Sequence, residues 1–159
     1  AVLYIILTAL LIGSIVKAAG SRSKMAEPVI KVIFAGAMTA LFYALYLLAA
    51  GYGRQPACFL LGMYYLSIGW LTYWLTDYVM EYTEVRLVTR LPRVILFVMV
   101  LLDSISILVN NFTGHMFSMI QLYDGSNGQY YWTSQPHGWM SIHLALCYVM
   151  VALTFIALI

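Results

Sequence analysis

Six side chains in the second half of the chain are of types that could do chemistry. Asp103, Ser106 and Asn110 recur at i, i+3, i+7, which places them on one face of a helix. Asn111 and His115 form a neighbouring i, i+4 pair, and His143 follows in the next apolar run. A carboxylate, two carboxamides and two imidazoles in apolar surroundings are costly to keep, so they default to a functional hypothesis. The expected site is a ligand pocket lined by Asp103, Asn110, Asn111, His115 and His143. The competing expectation is plainer: the same groups hydrogen-bond between helices and fix their packing.

Other chemistries find less support. Metal binding would need His115, His137 and His143 to converge, and their spacing across a loop matches no ligand motif. Cys58 and Cys147 sit in apolar runs with no CxxC pair and read as small buried hydrophobes. There is no phosphate loop, HExxH, GxSxG or Ser/His/Asp order, so no catalytic residue, cofactor or metal is predicted. Asn111-Phe112-Thr113 matches the glycosylation acceptor pattern by chance at a membrane boundary.

The elements that must position these groups follow from composition. Of 159 residues, 64% are hydrophobic and 9% charged, against about 25% charged in an ordinary soluble domain. A soluble fold of this size could not hide so much apolar surface, and a bilayer accepts it. Five segments approach the roughly 20 apolar residues needed to cross the hydrocarbon: 1–17, 29–51, 57–80, 93–113 and 139–159. Their length and continuous apolarity exclude a barrel. Pro28, Pro56, Pro92 and Pro136 each stand just before or at the start of a span, where a missing N–H costs nothing. The fold class is therefore an all-α membrane protein, a single transmembrane domain over 1–159.

Orientation follows from the cations. Lys17, Arg22, Lys24 and Lys31 flank one loop and Arg86, Arg90 and Arg93 another, while the two alternate loops carry Arg54 alone. This seven-to-one split predicts a multi-pass protein whose seven-cation side is the cytoplasm, with its N-terminus outside. The basic residues are thereby explained without nucleic acid. The outer stretch 114–138 reads as a β-hairpin: an apolar arm Met116–Tyr123, the turn Asp124-Gly125-Ser126-Asn127-Gly128, and the arm Gln129–Thr133. It is expected to lie as a lid on the outer helix ends.

In the third span, Trp70, Trp74, Asp77 and Glu81 share a face, and Gly62, Gly69 and Thr76 form a stripe of small residues that should admit a neighbouring helix closely. The aromatic stripe is expected to be packing or an interfacial belt. Asp77 is expected to pair with Arg86 or Arg90. The absence of Met at position 1 and the apolar end at Ile159 suggest a fragment.

Several runs carry a family resemblance. They are Phe59-Leu60-Leu61-Gly62-Met63-Tyr64-Tyr65, Leu71–Tyr82, Leu102-Asp103-Ser104 with Asn110 or Asn111, His115-Met116-Phe117, the Tyr-rich hairpin and His143. Together the chain resembles, from the second span onward, the seven-helix N-terminal region of bacterial membrane histidine kinases. The version on Firmicute diguanylate cyclases of the GGDEF type is the nearest in character. The resemblance implies an outside N-terminus, seven helices, of which two would lie downstream, and a cytoplasmic output domain. It implies a sensory input role, with the lipid bilayer, a small-molecule signal and a second copy in a homodimer as partners. It carries over no ligand or catalytic residue. Two rivals stand beside it: a small ion or solute transporter or channel subunit using Asp103 as an intramembrane site, and a membrane enzyme using the histidines and carboxylates. No internal repeat or broken span favours the transporter.

Overall fold

Backbone polarity dictates the main choice: in long apolar segments each N–H and C=O must find a partner within its own segment, and a helix does this without help. The computed structural model describes residues 1–20, 26–83, 90–126 and 128–159. Arg22, Lys24, Arg86 and Asn127 lie outside the described residues, as does the side chain of Arg90. The element order is α1 (Val2–Ala19), α2 (Ala26–Ala49), α3 (Arg54–Tyr82), α4 (Arg90–Thr113), β1 (Phe117–Asp124), β2 (Gln129–Pro136) and α5 (Gly138–Leu158). All five helices are long and apolar enough to cross a membrane.

The helices overrun most of the apolar segments by a few residues, because helical hydrogen bonding continues where hydropathy fades. α3 is extended most, beginning at Arg54 and ending at Tyr82. α2 instead stops at Ala49, short of the predicted residue 51, and the carbonyl of Ala50 accepts a hydrogen bond from Trp132 N–H at 2.9 Å. Pro28, Pro56 and Pro92 each occupy the third position of their helix, within the turn whose N–H groups have no helical partner. α4 ends on Gly114, whose φ of +65° turns the chain out of the helix, while its N–H closes on Asn110 O at 2.8 Å.

α3 is the central helix. α2, α4 and α5 pack on it, and α1 packs on α2. The small-residue stripe acts where expected. A Cβ on Gly62 would meet Ile107 Cγ2 of α4 at 3.6 Å, and one on Gly69 would meet Asp103 Oδ2 at 3.7 Å and His143 Cε1 at 3.9 Å. Thr76 Oγ1 bonds Thr154 Oγ1 of α5 at 2.9 Å and donates to Met150 O at 3.0 Å. At the far end of α3, Val79 and Met80 pack on Ala157. There Arg93 Nε stands 3.6 Å from Asp77 Oδ1, so the described cation beside Asp77 is Arg93.

β1 and β2 form an antiparallel hairpin with Phe117 opposite Pro136 and Asp124 opposite Gln129. The return strand runs three residues beyond the predicted Thr133. Its turn is built by Asp124 Oδ1, which accepts from Ser126 N–H at 2.9 Å and Ser126 Oγ at 2.6 Å, and by Gly128 at φ +70°. Met116, Phe117 and Met119 pack with Tyr46, Ala50, Ala57, Leu61, Ile107 and Met140. The hairpin base thus lies across the gathered ends of α2, α3, α4 and α5. Its tip projects, leaving Tyr123 and Tyr130 exposed and in ring contact with each other.

Candidate functional site

The five predicted site residues separate into four environments. Asp103 and His143 come together: His143 Nδ1 lies 2.7 Å from Asp103 Oδ2. His143 is fully buried, and the Asp103 side chain is 10% exposed. α4 and α5 bring the pair together over Gly69 of α3, where an added Cβ would already be in van der Waals contact with both side chains. Tyr65 packs edge-on against the imidazole, with centroids 5.7 Å apart. Cys147 Sγ lies 3.8 Å from His143 Nε2, one helical turn along α5. A carboxylate that accepts from the imidazole fixes its orientation and offsets the cost of burying both groups.

Asn110 serves the fold. Its Oδ1 accepts from Met116 N–H at 2.7 Å and from Phe117 N–H at 3.2 Å, and its Nδ2 donates to Phe117 O at 3.1 Å. The carboxamide is 2% exposed, so it satisfies three backbone groups where the chain leaves α4 and enters β1. Asn111, one residue on, is exposed and donates only a long bond to Leu108 O at 3.4 Å. It borders a separate groove of about 850 Å³ with Arg54, Gln55, Cys58 and Ser118, at the hairpin end of α3 and α4.

His115 lies at the hairpin base. Its Nε2 is 2.8 Å from Ser106 Oγ and its Nδ1 contacts Thr113 Oγ1. Trp139 packs edge-on against its ring. His115 and His143 therefore approach the same face of α4 at different levels, through Ser106 and Asp103. His137, the remaining histidine, is the N-cap position of α5. Among the described residues no group of three or more His, Cys, Asp or Glu comes together.

Between α4 and α5 runs a cleft of about 420 Å³. Leu96, Met99, Leu102, Ile142, Leu146 and Val149 contribute apolar wall, and Asp103, Ser106 and Trp139 are the lining residues that carry polar side-chain groups. Asp103 borders this cleft while His143 does not, so the carboxylate stands between the cleft and the buried imidazole. This volume is in the range of small-molecule sites, which combine mostly apolar walls with a few placed polar groups.

Two contributors escaped sequence reasoning. Ser104, buried on α4, accepts from Trp70 Nε1 at 3.1 Å and donates to Val100 O at 2.7 Å. Nothing in the spacing of Trp70 and Ser104 announces that bond. Gly69 was visible as part of the small-residue stripe, and its membership of the site follows only from which side chains enter the space it leaves.

Comparison with protein-family models, with curated proteins and with solved structures gives no match.

Proposed function

We propose that this chain is a membrane-embedded sensory input domain of a bacterial signal-transduction protein, governing a cytoplasmic output domain of diguanylate cyclase or histidine kinase type. The observation that carries it is the cleft between α4 and α5 with Asp103 as its wall. Both helices rest on α3 and meet beside this cleft through the Asp103–His143 bond, so its occupancy can set their separation. An occupant shifts such an equilibrium only through unequal affinity for the two arrangements. A carboxylate bonded to a buried imidazole on the opposite helix gives the arrangements different electrostatics. The resemblance to seven-helix sensor regions points the same way.

In this proposal the chain lies in the cytoplasmic membrane with its N-terminus and hairpin outside, an orientation that the distribution of cations supports. Cysteines introduced at Gly51 or Tyr130 are then labelled by an impermeant maleimide in intact cells, and those at Lys17 or Thr83 are not. The reverse pattern would end the assignment. Spin labels at Val98 and Tyr148 test the switch itself: two populated α4–α5 distances are expected in nanodiscs, and a single rigid distance would count against a sensor.

The ionisable pair at membrane depth favours a second function, an ion or proton transporter with Asp103 as its site. Proteoliposomes decide between them. Proton or cation flux that vanishes in Asp103→Asn would establish transport and displace the sensory function.

A further inference from the structure

We infer that the α4–α5 cleft takes a lipophilic ammonium compound, an apolar body ending in a single cationic donor that docks on Asp103. This rests on the proposed function in one respect, that the cleft is the sensory site. The chemistry of the lining selects the class. The walls are mostly apolar, and among the described residues the one ionisable side chain lining them is that of Asp103. One of its oxygens, Oδ2, is bonded to His143, and Asp103 is among the residues that line the cleft. Ser106, the other polar group on that side, is bonded to His115. A ligand reaching this wall therefore meets a carboxylate whose bond to His143 engages Oδ2, so that Oδ1 can accept from a further donor. An ammonium satisfies it, whereas a carboxylate or phosphate head would be repelled. A neutral hydrocarbon would offer that oxygen no donor. The helix surfaces around the cleft are themselves apolar: Met99, Leu102, Ile142 and Val149 are all exposed. An amphiphile would thus enter sideways from the acyl region of the bilayer.

Trp139 on the cleft wall supplies the reporter. The protein in nanodiscs of zwitterionic lipid is titrated with ω-bromoundecylamine, ω-bromoundecanol and ω-bromoundecanoic acid, which share a chain and a bromine quencher and differ in head group. The signal is quenching in the parent minus that in Trp139→Phe. The amine should quench saturably, and the alcohol and acid only in proportion to their partitioning. Asp103→Asn should weaken the amine by about ten-fold or more, the scale of a charge-assisted hydrogen bond. Ala145→Phe, which fills the cleft and leaves Asp103 in place, should abolish saturation while the circular dichroism and unfolding transition of the parent persist.

Equal quenching by amine and acid would overturn the inference and mark the cleft as a seat for lipid chains. Undiminished amine binding in either variant would overturn it as well. Concentration-dependent loss of saturation, with the protein dimeric, would show that a second copy fills the cleft instead. The sensory function fails separately: saturable amine binding that leaves the Val98–Tyr148 distance unchanged keeps the ligand class and removes the switch.

Discussion

Replacing Asn110 should unfasten the hairpin from the helices. The carboxamide, 2% exposed, holds Met116 N–H, Phe117 N–H and Phe117 O at 2.7, 3.2 and 3.1 Å. Asn110→Ala strips partners from all three. A buried orphan group costs about 1–3 kcal/mol, which bounds the loss near 3–9 kcal/mol if nothing moves. The junction lies at the hairpin base, where modest relaxation admits water, so a loss of about 3–5 kcal/mol is expected. Asn110→Leu separates the causes. Leucine restores the lost volume with no polar atom, so it should be as damaging as alanine if the orphaned backbone groups dominate. It should recover most of the loss if the cavity dominates.

The assay is reversible unfolding in mixed micelles of rising SDS fraction, followed by helical circular dichroism, with amide hydrogen exchange read at Met116 and Phe117. Those two amides should lose protection by about two orders of magnitude or more, the equivalent of about 3 kcal/mol, while amides in the middle of α3 keep theirs. Asn110→Ala within about 1 kcal/mol of the parent, or slow exchange retained at both amides, would refute the assignment of Asn110 as the strut of this junction.

Gly69 and Thr76 allow further checks. Gly69→Ala should fold normally, because its methyl would make ordinary contact at 3.7 Å from Asp103 Oδ2 and 3.9 Å from His143 Cε1. Gly69→Val carries atoms a further ~1.5 Å outward and should cost about 1–3 kcal/mol by overpacking, in the same SDS titration, while weakening the bromoalkylamine quenching. Thr76→Val keeps the shape and removes the bonds to Thr154 and Met150. At about 0.6 kcal/mol per bond in membrane proteins it should cost roughly 1 kcal/mol, and a loss several times larger in that titration would show the α3–α5 contact to be more demanding than its geometry implies.

The amino-acid sequence by itself determined the elements. Five helices and one hairpin follow from local properties: runs of oily residues, prolines in first turns, and an Asp-Gly-Ser-Asn-Gly turn whose chemistry does not depend on distant partners. The stripe of Gly62, Gly69 and Thr76 also predicted where α3 would be approached closely, since the absence of side chain is itself local information. Partners were another matter. Asn110 and Asn111 are the same residue type one position apart, and sequence reasoning gave them one role. A step of one residue turns about 100° around a helix, and that rotation sends Asn110 into the hairpin junction and Asn111 to the surface. Asp77 had several cations within reach along the chain, and packing set Arg93 beside it. The meeting of Asp103 with His143, forty residues apart, depends on two helices crossing a third at a glycine. Hydropathy and turn chemistry are summed along the chain and survive in one dimension. Which face of one helix meets which face of another depends on the fit of many side chains at once, and only the tertiary structure decides it.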